Sequence, residues 1–303
     1  MGTRALEASW RQLRAAPVAL GSALVILAMA LAAVFAPWLA PYTPFDPATL
    51  SLANSMLPPA WAESGRLAFP LGTDDQGRDL LSTLMYGGRI SLAVGAASVL
   101  VSMLIGVSIG LVAGYAGGWF ESLSMRIVDV QLTIPSILLA LLIDGVLRAW
   151  LPREAHAELA LYTLVFAIGL AQWPRFARVA RSCALVERNR EYVQAARIIG
   201  VAPGRIVLRH VLPNASAPLL VLATVDLGLA VLTEASLSFL GVGAPPTQPS
   251  LGTLIRIGTN FLFSGEWWVF VMPAAMLVVL VLAVNMLGDW LRDQLNPKLR
   301  QRR

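Results

Sequence analysis

Long apolar runs separated by short polar segments dominate the pattern of the chain. Six of them reach or approach the roughly 20 residues that an α-helix needs to cross a bilayer. The runs lie at Val18–Leu39, Ser91–Tyr115, Ile127–Leu147, Leu159–Gln172, Ala217–Leu240 and Trp268–Leu287. The pattern therefore predicts an all-α membrane protein with six transmembrane helices.

The helices carry two further signals. The second run has a small residue at every fourth position, namely Ser98, Ser102, Gly106, Gly110 and Gly114. Such a stripe lets helix backbones approach closely in lipid, which predicts tight packing within the chain's own bundle, with a subunit interface as the alternative. In the third run Pro135 removes a helical hydrogen bond, so we expect a kink there.

The composition supports an integral membrane protein. Of 303 residues, 57% are hydrophobic and 14% are charged, whereas a soluble domain carries about 25% charged residues. A single cysteine, Cys183, excludes a disulfide framework. The two histidines, His156 and His210, are too far apart in sequence to suggest metal ligation. The sequence thus offers no candidate for a catalytic residue, a metal or a cofactor.

The charge distribution predicts the orientation. The net charge is +5, and most of the 23 basic residues lie before the first run, after the second, between the fourth and fifth, and in the tail. This is the positive-inside pattern, which places both termini in the cytoplasm and indicates contact with membrane lipid, not nucleic acid. The first run is too long for a signal-peptide core, and Pro37 lies where cleavage would occur, so we expect a retained helix.

Two acids in the fifth run are candidates for lining a polar pathway. Asp226 and Glu234 lie two helical turns apart. A carboxylate at the bilayer centre costs roughly 2.5–3.5 kcal/mol on insertion scales, so it needs a partner or water. A structural partner within the protein is the alternative. The other acids near the runs, Asp129, Asp144 and Asp289, lie close to predicted helix ends.

The segment Phe69–Ile90 precedes the second run. Thr73 and Gln76 have the spacing of a capping box, which predicts the start of a helix. Its apolar face consists of Leu80, Leu81, Leu84 and Met85. We expect Gly87-Gly88 to end this helix, leaving it as an amphipathic helix on the outer membrane surface.

The arginine-rich loop at 190–214 is the most informative polar segment. A helix is predicted from Glu191 to Ile199, ended by Gly200, with Tyr192, Ala195, Ala196 and Ile199 on one face. A second helix opens at Pro203 and is expected to end at Leu212-Pro213. The physics allows two interpretations, a docking element for another protein and an amphipathic helix bound to anionic lipid.

A nucleotide-binding loop is missing. The only lysine is Lys298, which lies in the tail outside any GxxxxGK[ST] pattern. If ATP drives this protein, the ATPase is a separate chain that needs a docking element.

The loop resembles the EAA motif of permease subunits in binding-protein-dependent ABC importers. Gln194-Ala195-Ala196, Gly200 and Leu212-Pro213 match the motif in register, while Gln194 replaces its glutamate and His210 its isoleucine. Glutamine keeps the length and hydrogen bonding but loses the charge. The segments at 71–95, 233–252 and 285–300 and the turn at Ala40-Pro41-Tyr42 are similar to the C-type subunits of the dipeptide/oligopeptide/nickel permease group.

The resemblance implies a type I ABC importer permease fold. Residues 1–70 would hold the N-terminal cytoplasmic segment, the first transmembrane helix and the start of an outer loop. Residues 71–303 would form the permease core with five transmembrane helices and a coupling helix within about 190–214. The implied ATPase-coupling residues are Glu191, Gln194, Ala195, Ala196, Arg197, Gly200, Leu212 and Pro213.

The resemblance also implies partners and location. They are a second homologous permease, two ATP-binding subunits that perform all ATP hydrolysis, and an extracytoplasmic solute-binding protein, in the bacterial inner membrane. The chain itself is then not an enzyme. Dipeptides or oligopeptides are the expected substrates, with nickel or another small solute as the alternative. A self-sufficient secondary transporter would need internal symmetry or broken helices around an ion site, which the sequence does not indicate.

Overall fold

The computed structural model describes residues 12–46, 50–245 and 247–295. Within these ranges the chain is mostly helical, and its only β pairing is an isolated antiparallel bridge between Thr73 and Asp79. The predicted all-α class is confirmed. The basic residues predicted on the cytoplasmic side at both ends of the chain, Arg4, Arg11, Lys298, Arg300, Arg302 and Arg303, lie outside the described residues.

The described part of the chain from residue 17 to residue 295 contains eleven α-helices, numbered in chain order. They are α1 (Pro17–Val34), α2 (Ala36–Leu39), α3 (Leu80–Ala116), α4 (Gly118–Thr133), α5 (Ser136–Trp150), α6 (His156–Glu187), α7 (Glu191–Ile198), α8 (Pro203–Ile206), α9 (Leu212–Phe239), α10 (Leu251–Thr259) and α11 (Trp268–Leu295). Short 3-10 turns lie at Leu52–Asn54 and Arg153–Ala155, and a π turn at Val207–Val211 joins α8 to α9.

Among the described residues, five helices are long and apolar enough to cross a membrane, and a bent pair of helices brings the number to six if it counts as one span. The five are α1, α3, α6, the continuous helix Pro203–Phe239, and α11. The six predicted runs therefore all become helical. Their ends differ, since α6 continues from Gln172 to Glu187 and α11 to Leu295.

The third predicted run is broken, not merely kinked. Helix α4 ends at Thr133, α5 begins at Ser136, and their axes differ by 102°. The residue before the proline, Ile134, is extended (φ −89°, ψ 130°). Steric conflict with the proline ring disfavours the helical conformation at that position. Pro135 thus ends one helix and precedes the next.

The predicted separate helix ending at Gly87-Gly88 is wrong. Helix α3 runs through both glycines without interruption. A Cβ atom at Gly87 would lie 2.9 Å from Leu254 Cδ1, and one at Gly88 2.7 Å from Met276 Cε. These glycines therefore permit close packing and do not stop the helix.

The start of that helix also differs from the prediction. Asp79, not Thr73, caps it, because the Asp79 carboxylate accepts hydrogen bonds from the backbone N–H and the hydroxyl of Ser82 at 2.8 and 2.6 Å. Residues 73–79 instead form a loop around Asp74, whose carboxylate accepts from the Gln76 and Arg78 N–H groups, both at 2.9 Å.

The second short helix of the arginine-rich loop does not end at Leu212-Pro213. It continues through the π turn into α9, so residues 203–239 form one helix. Proline lacks the N–H for a bond to the residue four positions earlier. The wider π turn contains Arg209, which lies four positions before Pro213 and whose carbonyl therefore lacks that bond.

Backbone contacts divide the described residues into two compact units, one within 12–95, 154–161 and 231–287, and a second within 96–153, 162–230 and 288–295. In the second unit the small-residue stripe of α3 packs against α6. A Cβ at Gly106 would lie 2.6 Å from Phe176 Cβ, and one at Gly114 2.6 Å from the Arg181 carbonyl oxygen. Ser102 donates a hydrogen bond to the Gly169 carbonyl at 2.9 Å. Packing within the chain is confirmed for this stripe.

Candidate functional site

The candidate site is helix α7 with the turn that follows it. Gly200 adopts φ +78°, its N–H donates to the Arg197 carbonyl at 3.0 Å, and the Val201 N–H donates to the Ala196 carbonyl at 3.0 Å. This pair of bonds is a Schellman motif, which requires a left-handed residue and therefore favours glycine. The prediction that Gly200 ends the helix is confirmed, and Pro203 opens α8 as expected.

The two sides of α7 differ in exposure. Val193 and Ala196 are buried against the chain. Ile198 and Ile199 are exposed by 86% and 78%, and we call these two residues the isoleucine tip. The predicted apolar face is therefore divided, because Ala196 points inward whereas Ala195 and Ile199 point outward.

Gln194 bonds the preceding helix end. Its side-chain Nε2 donates to the Arg188 carbonyl oxygen at 3.0 Å. That carbonyl lies just beyond the last residue of α6, where helical carbonyls lack backbone partners. The glutamate of the motif could not donate this bond, since a carboxylate only accepts.

Tyr192 connects α7 to α6 and to α9. Its hydroxyl donates to the Glu187 carboxylate at the end of α6 and accepts from Asn214 Nδ2 in α9 at 3.1 Å. The Tyr192 and His210 rings stack at 6.3 Å. Burial, together with the hydrogen bond to Glu187 and its negative charge, raises the pKa of Tyr192 to about 12.

Arg197 contacts a third helix. Its Nε donates to the Tyr115 hydroxyl at 3.1 Å, and its guanidinium carbon lies 4.7 Å from the centre of the Tyr115 ring. Tyr115 is the penultimate residue of α3. The resemblance implies that Arg197 belongs to the ATPase-coupling residues, and nothing in the sequence indicates a role for Tyr115.

Arginines of α6 pair with acids on neighbouring helices of the second unit. Arg178 bonds Asp129 at 2.7 Å, and the Arg181 Nε donates to Glu121 at 2.7 Å; both acids belong to α4. Beyond the end of α6, Arg188 donates to the Gly114 carbonyl of α3 at 2.9 Å. These arginines were predicted only as cytoplasmic charge. The structure shows that they also join helices.

The two acids proposed for a pathway are fully buried in this structure. Asp226 pairs with Arg175 at 3.2 Å. In the first unit, the Glu234 carboxylate accepts hydrogen bonds from Ser91 and Ser238, each at 2.7 Å. Both acids have polar partners within the chain, so contact with a pathway requires a conformation that exposes them and stays a prediction.

The remaining predicted residues are Glu191, exposed at the start of α7, and Leu212 and Pro213, at the start of α9. Among the described residues no group of three or more histidine, cysteine or acidic side chains could hold a metal ion.

Two family models match the chain. Residues 106–301 match the model described as binding-protein-dependent transport system inner membrane component. Residues 6–59 match the N-terminal TM domain of oligopeptide transport permease C.

Curated relatives align along nearly the whole chain. It is 39% identical to the di/tripeptide transport system permease protein DppC of Pseudomonas aeruginosa, over 97% of this chain and 93% of that protein. It is 39% identical to the dipeptide transport system permease protein DppC of Haemophilus influenzae, over 98% and 96% of the two chains. With the Escherichia coli K12 protein of the same name it shares 40% identity over 89% and 85%.

A solved structure shares the fold. A chain of the MetNI methionine ABC transporter in an inward-facing conformation aligns with a TM-score of 0.54 and 22% identity, covering 71% of this chain and 96% of that one.

Proposed function

Because the chain belongs to the family of binding-protein-dependent transport system inner membrane components, we propose that it forms half of the translocation path of an ATP-driven dipeptide importer. The chain is an ABC importer permease and a multi-pass protein of the bacterial cytoplasmic membrane. The proposed substrate is supported by relatives that are named as dipeptide permeases and align over almost all of the chain.

The proposed assembly has five subunits. A second, homologous permease completes the path, two ATP-binding subunits hydrolyse ATP, and an extracytoplasmic solute-binding protein delivers the dipeptide. Both termini of the chain lie in the cytoplasm, which puts α7 on the side of the ATPases. The positive-inside distribution of arginine supports this orientation.

Helix α7 is the proposed coupling helix, and the isoleucine tip is the observation that carries this role. Two adjacent and almost fully exposed aliphatic side chains on a polar loop form an apolar patch that favours contact with a partner. A groove on an ATP-binding subunit covers the tip, while buried Val193 and Ala196 hold α7 on the permease.

Movement of α7 reaches the membrane through side chains. Tyr192 joins it to α6 and α9, and Arg178 and Arg181 join α6 to α4. When ATP brings the two ATP-binding subunits together, each coupling helix is displaced with the helices attached to it. That rigid-body displacement alternates access to the path.

The test is purification and reconstitution. The chain is coexpressed with its genomic neighbours, purified through a tag in mild detergent, and the retained proteins are identified by mass spectrometry. The proposal expects a second permease and ATP-binding subunits, and ATP-dependent uptake of a labelled dipeptide after reconstitution with the binding protein.

Other outcomes would contradict individual parts of the proposal. Uptake of nickel in place of dipeptides would change the substrate and leave the transporter class intact. Uptake by the chain alone, without ATP, would identify a secondary transporter and overturn the proposal.

A further inference from the structure

The end of α3 is a fixed point in the second unit. A Cβ at Gly114 would lie 2.7 Å from Ala184 Cβ of α6, so only glycine allows this approach. The Gly114 carbonyl accepts a hydrogen bond from Arg188 at 2.9 Å. Tyr115 follows directly, so the backbone that carries its ring is held in place relative to α6.

Helix α7 is attached unevenly along its length. Near its beginning, Tyr192 and Gln194 bond to Glu187 and the Arg188 carbonyl. Near its end, Arg197 reaches Tyr115, and the glycine after the helix has open space around it. Arg197 is thus the polar side chain that ties the second half of α7 to a membrane-spanning helix.

The contact combines two favourable interactions. The guanidinium lies over the face of the Tyr115 ring at 4.7 Å, within the range of a cation–π interaction. The Nε donates to the hydroxyl of the same tyrosine. A planar guanidinium makes both contacts at once, whereas a lysine ammonium lacks the fixed planar geometry.

We propose that Tyr115 is a positioning residue that sets the angle of the coupling helix through Arg197. The Arg197–Tyr115 pair fixes the end of α7 next to the isoleucine tip, so that force applied there passes into α3 as well as α6. The charge of Arg197 acts within the permease and not on the ATPase. This inference rests on the proposed function.

The experiment compares Tyr115→Leu, Tyr115→Phe and Arg197→Lys in the complete reconstituted transporter. Three quantities are measured: the ATP-binding subunits retained on purification, ATP hydrolysis without binding protein, and dipeptides imported per ATP hydrolysed. Tyr115→Leu should lower the dipeptides imported per ATP about three- to tenfold, as expected for losing a cation–π contact and a charged hydrogen bond. Tyr115→Phe keeps the ring and should give a smaller loss.

Retention of the ATP-binding subunits on purification distinguishes a positioning role from a role in docking the ATPase. Tyr115→Leu and Arg197→Lys should both retain the ATP-binding subunits at the wild-type level. Adding Arg197→Ala to Tyr115→Leu should cause no further loss, because the two residues act as one contact. Tyr162→Leu is the matched control, since this tyrosine is exposed on α6 and should leave the import ratio unchanged.

Each contrary outcome overturns a defined statement. A normal import ratio for Tyr115→Leu, in a wild-type complex that couples, refutes the positioning role and leaves the proposed function intact. Loss of the ATP-binding subunits from the Arg197 variants alone would place Arg197 at the docking interface. A wild-type chain that recruits no ATP-binding subunit would overturn the proposed function itself.

Discussion

The side-chain amide of Gln194 donates a hydrogen bond to the Arg188 carbonyl at 3.0 Å and so connects the coupling helix to the end of α6. Restoring the motif residue with Gln194→Glu should therefore impair the protein, because a carboxylate would face a carbonyl oxygen that it cannot bond. We expect uptake to fall about two- to tenfold, the equivalent of a net hydrogen bond worth roughly 0.5–1.5 kcal/mol.

Gln194→Met is the control in the same dipeptide uptake assay, because methionine keeps the side-chain length but has neither the hydrogen-bond donor nor a negative charge. Comparison with Gln194→Glu therefore separates the effect of the charge from the effect of the lost bond. Uptake by Gln194→Glu at the wild-type level would mean that this bond has no part in coupling.

Gly200 should not tolerate proline. Proline fixes φ near −65°, whereas Gly200 adopts +78° and donates its N–H to Arg197. Gly200→Pro should leave membrane abundance unchanged and abolish dipeptide uptake. Gly200→Ala meets no neighbour within 4 Å, so it should cost only the left-handed backbone, about 1–2 kcal/mol, and reduce uptake partially. Equal uptake by both variants would contradict the cap assignment.

Ala196 should resist enlargement more than Ala195. Ala196 is buried, whereas Ala195 is exposed. Leucine at position 196 overpacks the contact beneath α7, at a cost of roughly 1–3 kcal/mol. Ala196→Leu should uncouple transport by displacing the helix, and Ala195→Leu should act only through the ATP-binding subunit. Thermal unfolding of the permease alone tells them apart: only Ala196→Leu lowers its midpoint.

The isoleucine tip should carry ATPase binding. Changing Ile198 and Ile199 to serine removes two exposed apolar side chains, each worth about 1.5–3 kcal/mol when a partner covers it fully. We expect the ATP-binding subunits to be lost on purification while the permease pair stays together. Phe263→Ser is the control, because Phe263 is 97% exposed but lies in a loop distant in sequence. Retention of the ATPase by the tip variant would refute the docking assignment.

The Tyr192 hydroxyl should stay protonated throughout the physiological range. Its pKa is raised from 10.0 to about 12 in the folded protein, so the resulting stabilisation is complete below pH 10 and is lost as the pH rises through about 12. Tyr192→Phe should therefore lower the unfolding midpoint by the same amount at pH 6 and pH 8. A loss that differs between these two pH values would contradict this expectation and show that a group in the Tyr192 contact titrates in this range.

Loss of Arg175 should lower the stability of the protein more than loss of its partner Asp226. The Asp226 side chain is fully buried and that of Arg175 is 38% exposed. Arg175→Met leaves a buried carboxylate unpaired, which costs roughly 3–5 kcal/mol, whereas Asp226→Asn leaves an arginine whose side chain is partly exposed. We expect lower thermal stability for Arg175→Met. A stable Asp226→Asn variant with altered uptake among dipeptides would instead support a pathway role for Asp226.

The membrane spans and the ends of the coupling helix were predictable because their causes are local. An apolar run defines its own helix, Gly200 supplies a left-handed residue, and Pro203 begins a helix where no N–H is needed. Pro135 similarly marked the break in the third run, although the sequence did not indicate a bend of 102°.

The errors and omissions have non-local causes. The sequence predicts a helix stop at Gly87 and Gly88, and their packing partners, Leu254 and Met276, are too distant in sequence to correct that prediction. The contact between Arg197 and Tyr115 joins residues 82 positions apart. The only local signal for Tyr115 is its place just before Gly117-Gly118, at the end of the apolar run. An isolated sequence does not reveal such pairs.

The bend at Pro135 has a consequence for biogenesis. Helices α4 and α5 contain 16 and 15 residues, each fewer than the roughly 20 that cross a bilayer. The acids of α4 find their arginines on α6, which the ribosome has not yet made when α4 leaves it. These ion pairs can therefore form only after the fourth span has been synthesised, so we expect the bent third span to reach its final geometry later than its own insertion.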